Sequence, residues 1–514
     1  MAFSGAQAAE SFRLEDAASK AVQTNPEVVS KWHQFQASIY ERDVTRGRYL
    51  PTLDVLFGTA YEQRKSPLYN PYEQRNYNFQ NTKVTLRQNL FEGFATVNDT
   101  KRLEHASMVR FYEMLDLSES AALEATKAYI DVWRFRRLVN YAEENYATHR
   151  ILYEKIKERA QSGVGRRVDL ETAAGRLALA ESNLLTETAN LHDVTARYQR
   201  VVGSLPPADM APPPADVLLK DFPKDRVSSI NRSFEKSPAL KAAFENILSA
   251  MRNVEVQKAG YYPRIDAYAE KTHDKNAGGY GTQFGDPSSN TDATTVGVTA
   301  TWNLFRGFQD INRQRKAAEE KNSAKDLREK VCRDIRQNAA MAYNDKVRLT
   351  EQVKYLDQHQ LSTDKAREAF RRQFDIGQRT LLDVLDTENE YFTARRNYVN
   401  GEQDLLIAYA KYQAASGNLL NTLQLKNLDM EPPSPQTTPE EDMLTTCPAE
   451  AIDVPAIDKE DLYKRALAKE ELVRGQTTPA EAAAPAAKAP ATVTPKAAPA
   501  AKPQAKKVQP KKKP

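Results

Sequence analysis

The sequence is poor in the residues on which most chemistry depends. Of 514 residues only Cys332 and Cys447 are cysteines, too few for a disulfide framework or a thiolate metal site, and whether they pair is left open by spacing alone. The six histidines, His33, His105, His149, His192, His273 and His359, show no metal-ligand spacing, and neither a nucleophile motif nor a phosphate-binding glycine loop is present. Glu388, Asn389 and Glu390 read as solvated helix positions rather than an acid–base pair. These absences count against an enzyme and call for no cofactor or metal. Long apolar runs are also missing: the best is Leu405 to Ala410, so a helical membrane span is excluded on length. Excess charge is confined to one end. The net +4 includes eight Lys against one Glu in residues 479–514, so removing that +7 leaves the body at −3, with no case for a nucleic-acid surface. Proline is absent from Tyr72 to Leu205 and from Ser288 to Glu431, which permits very long helices.

What is present is said twice. Pro26, Pro51 and Asp54 recur 212 residues later as Pro238, Pro263 and Asp266; from there the offset is 214. Asn89-Leu90-Phe91-Glu92-Gly93-Phe94 returns as Asn303-Leu304-Phe305-Arg306-Gly307-Phe308. Ala128, Tyr129, Asp131 and Arg134 return as Ala342, Tyr343, Asp345 and Arg348, and Gly163 and Asp169 as Gly377 and Asp383. Tyr198-Gln199 returns as Tyr412-Gln413. The chain is a tandem duplication whose halves pack as one pseudo-symmetric body.

Glycines near the middle of each proline-free run, Gly163-Val164-Gly165 and Ile376-Gly377, predict helical hairpins over about 95–161 with 167–203, and 311–375 with 380–418. The longer arms would reach about 100 Å at 1.5 Å per residue. Leu170, Leu177, Leu184, Leu191, Tyr198 and Leu205 fall seven apart, as do Val384, Tyr391, Tyr398, Leu405, Tyr412 and Leu419. Such a repeat keeps a seam facing its partner only if the helices supercoil. Thr387, Ala394, Gly401, Ala408 and Ala415 add a column of small residues that lets backbones approach closely.

Between a first helical segment, about 13–47, and the long helix lies alternating sequence. Leu53, Val55, Phe57, Thr59 and Tyr61 alternate with Asp54, Leu56, Gly58 and Ala60, and Val84 and Leu86 with Lys83, Thr85 and Arg87. In the second copy Ile265, Ala267 and Ala269 alternate with polar neighbours, and Val296, Val298 and Ala300 with Thr295, Gly297 and Thr299. Two hairpins follow, about 48–90 and 262–304, with turn-rich loops over Arg64 to Asn76 and Lys275 to Asp292. The period suits strands with one apolar and one polar face, long enough to cross a bilayer obliquely. Four strands cannot close a barrel, so a membrane reading requires several chains. A small soluble sheet on a coiled-coil rod fits the periodicity as well.

From about Leu14 to Leu420 the sequence resembles the TolC-type outer-membrane efflux proteins. The resemblance is carried by Asn25-Pro26-Glu27, Tyr49-Leu50-Pro51, Gln88-Asn89-Leu90-Phe91, Tyr261-Tyr262-Pro263 and, above all, Phe374-Asp375-Ile376-Gly377-Gln378-Arg379-Thr380-Leu381-Leu382-Asp383-Val384-Leu385-Asp386. It implies a mainly α protein with membrane β: four strands per chain given to a shared trimeric 12-stranded barrel in the outer membrane of a Gram-negative bacterium, above a coiled-coil tunnel through the periplasm. It also implies a periplasmic gate at the hairpin tips, with Asp383 and Asp386 as lumen-facing rings, Arg379 as a cationic latch and Asp169 as its acceptor on a neighbouring helix pair. Gly163, Gly165 and Gly377 would mark the tips that meet an adaptor. Phe374 stands where the family can carry a tyrosine, so a hydroxyl link is lost there. Six carboxylates around one axis would repel anions, hold cations and raise some of their own pKa values. The plainer reading of Asp383 and Asp386 is as charges welcomed by a helix start.

Gln378 to Asp383, followed by Glu388-Asn389-Glu390 and Ala394-Arg395-Arg396, looks most like the branch serving type I secretion. The implied partners are a homotrimer, a periplasmic membrane fusion (adaptor) protein, an inner-membrane ABC transporter, secreted polypeptide cargo and outer-membrane lipid, with no nucleic acid. Multidrug efflux is the alternative within the family, and a soluble periplasmic coiled-coil scaffold the alternative outside it. The expected plan is a flexible N-terminus (1–12), a first repeat (13–205), a Pro-rich linker (206–227), a second repeat (228–420), a periplasmic C-terminal segment (421–478) and a disordered Ala/Pro/Lys tail (479–514). Ala6-Gln7-Ala8 has the form of a secretory signal's end without its apolar core, so the chain is expected to be a mature exported one.

Overall fold

The computed structural model describes residues 11–64, 75–275, 290–425, 447–451 and 457–476. Most of the two turn-rich loops, residues 1–10 and the tail expected over 479–514 lie outside them. Residues Met1–Ile452 form one unit and Asp453–Pro514 another; in the second, helix α11 (Lys459–Gln476) is described.

The first unit is built from two copies of helix, hairpin and long helical hairpin. Helices α1 (Leu14–Thr24) and α2 (Pro26–Arg46) occupy the first segment. The single helix expected there breaks because Asn25 caps α2, accepting from the Glu27 amide at 2.9 Å, with Pro26 at the first helical position. Strands β1 (Thr52–Arg64) and β2 (Arg75–Glu92) follow, then α3 (Ala95–Gln161) and α4 (Arg167–Val202). The stretch 206–227 contains a short helix, α5 (Ala215–Leu219), and the start of α6 (Arg226–Lys236). The second copy comprises α7 (Pro238–Lys258), β3 (Arg264–Lys275), β4 (Thr291–Thr301), α8 (Gln309–Asp375) and α9 (Leu381–Ala415), closed by α10 (Leu419–Thr422). At 67 residues each, α3 and α8 run about 100 Å.

Strand and helix meet at the same strained junction in both copies. Phe94 and Phe308 both adopt left-handed backbone (φ 63° and 62°), which costs a β-carbon residue about 1–3 kcal/mol. Each ring packs edge-on against a second Phe, Phe91 or Phe305, at 5.4 Å, which fixes the turn.

The first half of α3 lies between α2 and α7. Lys31 reaches Glu113 at 3.2 Å and Arg46 reaches Glu104 at 2.7 Å, while on the other side a buried His105–Glu245 pair closes at 2.7 Å. Further along, α4 and α9 take over. Thr387, Ala394, Gly401 and Ala408 are buried as the small column requires. The first copy has the same column in Ala173, Ala180, Glu187, Val194 and Val201, all buried.

The main core lies midway along the long helices, where α1, α3, α4, α9 and α10 converge on Tyr129, Ile130, Tyr198, Val202 and Leu419. Duplicated tyrosines pin the crossing chain: the Tyr129 hydroxyl lies 2.9 Å from the Phe12 carbonyl and 2.6 Å from that of Ala211, and Tyr343 donates to the Lys224 carbonyl at 2.8 Å. A second core joins α6, α7 and α8 through Ile230, Phe234, Leu240, Phe244 and Ile335. It contains Cys332 and Cys447, which form a disulfide.

Candidate functional site: the sheet and the helix tips

The four strands form one antiparallel sheet in the order β1-β2-β3-β4, so β2 and β3 join the two copies. Directly paired residues share a face, and the register therefore sorts every side chain. One row reads Leu53, Leu86, Ala269 and Val296; another, nearer the helices, reads Gln88, Ala267 and Val298; a third reads Phe91, Ile265 and Ala300. Toward the loops this face turns polar at Lys271, His273 and Asp292. The opposite face is largely polar at its centre: Asp54, Thr85, Glu270 and Thr295 form one row, the next reads Leu56, Lys83, Thr272 and Ala293, and Lys83 pairs with Glu270 at 2.6 Å. The apolar face is bare. Leu53, Val55 and Phe57 are 66–69 % exposed and Val296 is 78 % exposed. Strands β1 and β4 are edges with no partner among the described residues.

Where all four strands meet the helices, exposed aromatics collect: Tyr49, Phe94, Tyr261, Tyr262, Trp302, Phe305 and Phe308. Trp302 donates its indole N–H to the Tyr261 carbonyl at 3.2 Å. The alternation pattern alone shows no such girdle. Its signal was in the duplicated Leu-Phe-x-Gly-Phe and in Tyr261-Tyr262, which lie just beyond the strand ends.

At the far end, α3 and α8 finish in the same turn. Gly163 and Gly377 both take φ +78°, and Gln378 donates its amide to the Gln373 carbonyl at 2.8 Å as Val164 does to Arg159 at 3.2 Å. Gly165 is required by contact instead: a β-carbon there would lie 2.9 Å from the Ala160 nitrogen. Beneath the turns Ile156, Ala173, Leu381 and Leu385 form an apolar plug, with Leu152, Tyr153, Leu170 and Phe374 against it. Phe374 thus joins the two hairpins by packing, and the Arg159 guanidinium lies 5.7 Å from its ring.

The two copies then diverge. Thr380 and Asp383 form a capping box on α9: the Asp383 carboxylate accepts from the Thr380 amide at 3.1 Å and its hydroxyl at 2.9 Å. These bonds hold the Asp383 carboxyl below its ordinary range, against the rise expected from a crowded ring, so within one chain it is an ionised cap. Asp169 occupies the equivalent place in the first turn of α4, where Arg166 replaces the threonine. Arg379 donates to Gln373 at 3.1 Å, stacks 4.4 Å from the Phe370 ring and comes within 4.0 Å of Asp383; within the chain it is not brought to Asp169 among the described contacts.

Asp386 pairs instead with Arg176 of α4, the first rung of a ladder that sequence reasoning missed. Arg396 reaches the buried Glu187 at 2.7 Å, Arg137 reaches Glu402 at 2.6 Å, Arg134 reaches Asp404 at 2.7 Å, and Arg395 pairs with Glu144 while lying 3.5 Å from the Tyr141 ring. Every rung fastens α9 to the first hairpin. Within the second hairpin Arg367 and Arg371 converge on the buried Glu388. Beside this cluster His149, only 2 % exposed, has its pKa lowered to about 4 by burial and by Arg176 and Arg371.

No described helix is long and apolar enough to cross a membrane. The family described as outer membrane efflux protein matches residues 17–204 and 229–418, one copy each. The chain belongs to this family of TolC-type channels. It is 25 % identical over 336 residues to the outer membrane efflux protein BepC of Brucella suis biovar 1 (strain 1330), covering 65 % of this chain and 72 % of BepC. It is 24 % identical over 411 residues to the alkaline protease secretion protein AprF of Pseudomonas aeruginosa PAO1, covering 75 % and 82 %. Its fold matches the solved structure of the outer-membrane channel OprN with a TM-score of 0.66 at 18 % identity, over 79 % of this chain and 90 % of that one. An outer membrane efflux protein of this kind sits in the outer membrane of Gram-negative bacteria and extends into the periplasm, which sets aside the soluble scaffold.

Proposed function

We propose that this outer-membrane channel is the exit duct of a type I secretion system. Three copies place twelve strands in one barrel, pairing β1 of each chain with β4 of the next; the unpaired edges and bare apolar face are the observation that carries this assembly. The two repeats, 13–205 and 228–420, then line one tunnel with their long hairpins. Similarity to AprF, a protease secretion protein, over three quarters of the chain supports a polypeptide cargo driven by an inner-membrane ABC transporter. The tips at Gly163, Gly165 and Gly377 are offered to a periplasmic membrane fusion protein. In the trimer Asp383 and Asp386 ring the entrance, with Arg379 reaching toward Asp169 of the adjoining chain as the latch.

Deleting the gene and comparing secreted proteins with drug sensitivity tests the cargo. Loss of one or a few secreted polypeptides with drug tolerance unchanged is expected. Raised drug sensitivity with an intact set of secreted proteins would favour the alternative, multidrug efflux. For the gate, single-channel recordings should show block by a polyvalent cation added on the helical side, abolished by Asp383→Asn with Asp386→Asn; unchanged block removes both residues from the lumen.

A further inference from the structure

The disulfide belongs to neither the barrel nor the gate, and its surroundings show what it is for. Cys332 lies on α8 with no exposure, and Cys447 is 1 % exposed although it belongs to the short described stretch 447–451 far along the chain. Their Cα atoms are 5.7 Å apart and 115 residues separate them. Around the bond stand Ile230 and Phe234 of α6, Leu240 and Phe244 of α7, and Ile335 and Ala339 of α8. The rest of the described stretch holds on lightly. Ala449 is partly buried against the cluster, and Glu450 meets Arg336 at 3.8 Å with its carboxylate side chain 79 % exposed, a pair of little strength in water.

We propose that Cys332 and Cys447 are a maturation lock: their oxidation, rather than packing, fastens the C-terminal strap across α6, α7 and α8. The oxidant is a protein disulfide donor of an oxidising compartment. The Cys447 thiolate, on the unfastened strap, attacks the donor's disulfide to give a mixed disulfide. The Cys332 thiolate then displaces the donor, which leaves as a dithiol carrying both electrons and both protons. Closing the bond draws Cys447 and Ala449 over Phe234 and Phe244 and buries both sulfurs. The finished bond is therefore out of reach of small reductants while the protein is folded.

The full-length protein, purified in detergent, is treated with a maleimide-linked polymer that adds visible mass per thiol. Wild type should show no free thiol even in denaturant, and two after reduction in denaturant; two before reduction overturns the proposal. Dithiothreitol without denaturant should leave the bond intact, and ready reduction of the folded protein would show that the sulfurs are not covered. The decisive variant is Cys332→Ser, with Cys332→Ala as its apolar counterpart in case the hydroxyl disturbs the core. If the bond holds the strap, Cys447 in the folded variant reacts within roughly tenfold of a free peptide thiol. Protection a hundredfold or more stronger means that packing alone seats the strap, and the lock is refuted.

Discussion

The two faces of the sheet can be told apart by one charge placed at one depth. Val296 is the sixth of the eleven residues of β4 and sits in the row Leu53, Leu86, Ala269, Val296; Thr295 beside it points the other way, into the row with Asp54, Thr85 and Glu270. Val296→Arg gives up little packing, because the side chain is 78 % exposed in the single chain. If this face meets hydrocarbon, a guanidinium near mid-membrane costs about 2–4 kcal/mol per chain, or roughly 6–12 kcal/mol for three copies in one barrel. Per chain that lowers the folding equilibrium roughly 30- to 700-fold. Thr295→Arg instead faces Glu270 directly across the strand pair, in a water-filled interior, and should change stability by no more than about 1 kcal/mol. The assay is the temperature at which the assembled trimer dissociates, read by gel mobility of outer-membrane extracts, together with the amount of protein recovered in that membrane. Val296→Arg should be depleted and heat-labile while Thr295→Arg resembles wild type. Equal effects, or the opposite order, would refute the assignment of the faces.

Two further outcomes concern the helices. His149 is neutral at pH 7 in both folded and unfolded chains; as pH falls below about 6.5 the unfolded chain takes up a proton that the folded one resists until about 4, so stability drops through that window by up to ~3 kcal/mol per chain. His149→Gln should flatten the fall in melting temperature between pH 7 and 4.5, and an unaltered slope would mean that other groups cause it. Arg176→Ala removes the rung to Asp386, a half-exposed pair worth roughly 0.5–1 kcal/mol per chain, and should raise single-channel conductance. The exchange Arg176→Asp with Asp386→Arg should bring conductance back toward wild type, and failure of both effects would separate this pair from the gate.

The helical hairpins were legible in the sequence because three independent signals coincide there: no proline, a seven-residue repeat, and glycines at the tips. The strands were legible from alternation, but not the β2–β3 pairing that aligns their faces, because register between segments so far apart leaves no local trace. For the same reason the arginine ladder was hidden. Arg134, Arg137, Arg176 and Arg396 look like ordinary surface charges until α9 is laid against the first hairpin. Asp383 was found but underspecified: Thr380 three residues before it is a capping-box pattern, and the carboxylate is engaged there within its own chain. The disulfide could not be read at all, since two lone cysteines with 115 residues between them match no motif. Break points were set by local chemistry that the coarse pattern passed over, as at Asn25-Pro26.

The seam between β2 and β3 also dictates when the wall of the channel can form. It joins Asn89 to Asp266 and Asn81 to Asp274, partners 177 and 193 residues apart, with the whole first helical hairpin between them. Contacts of such long sequence separation form slowly, because an extended loop must close before any pairing rewards it. The first β-hairpin therefore emerges early and waits, with two open edges and an apolar face that invite pairing with the wrong chain. A chain truncated after the first repeat is therefore expected to aggregate rather than to insert as half a channel.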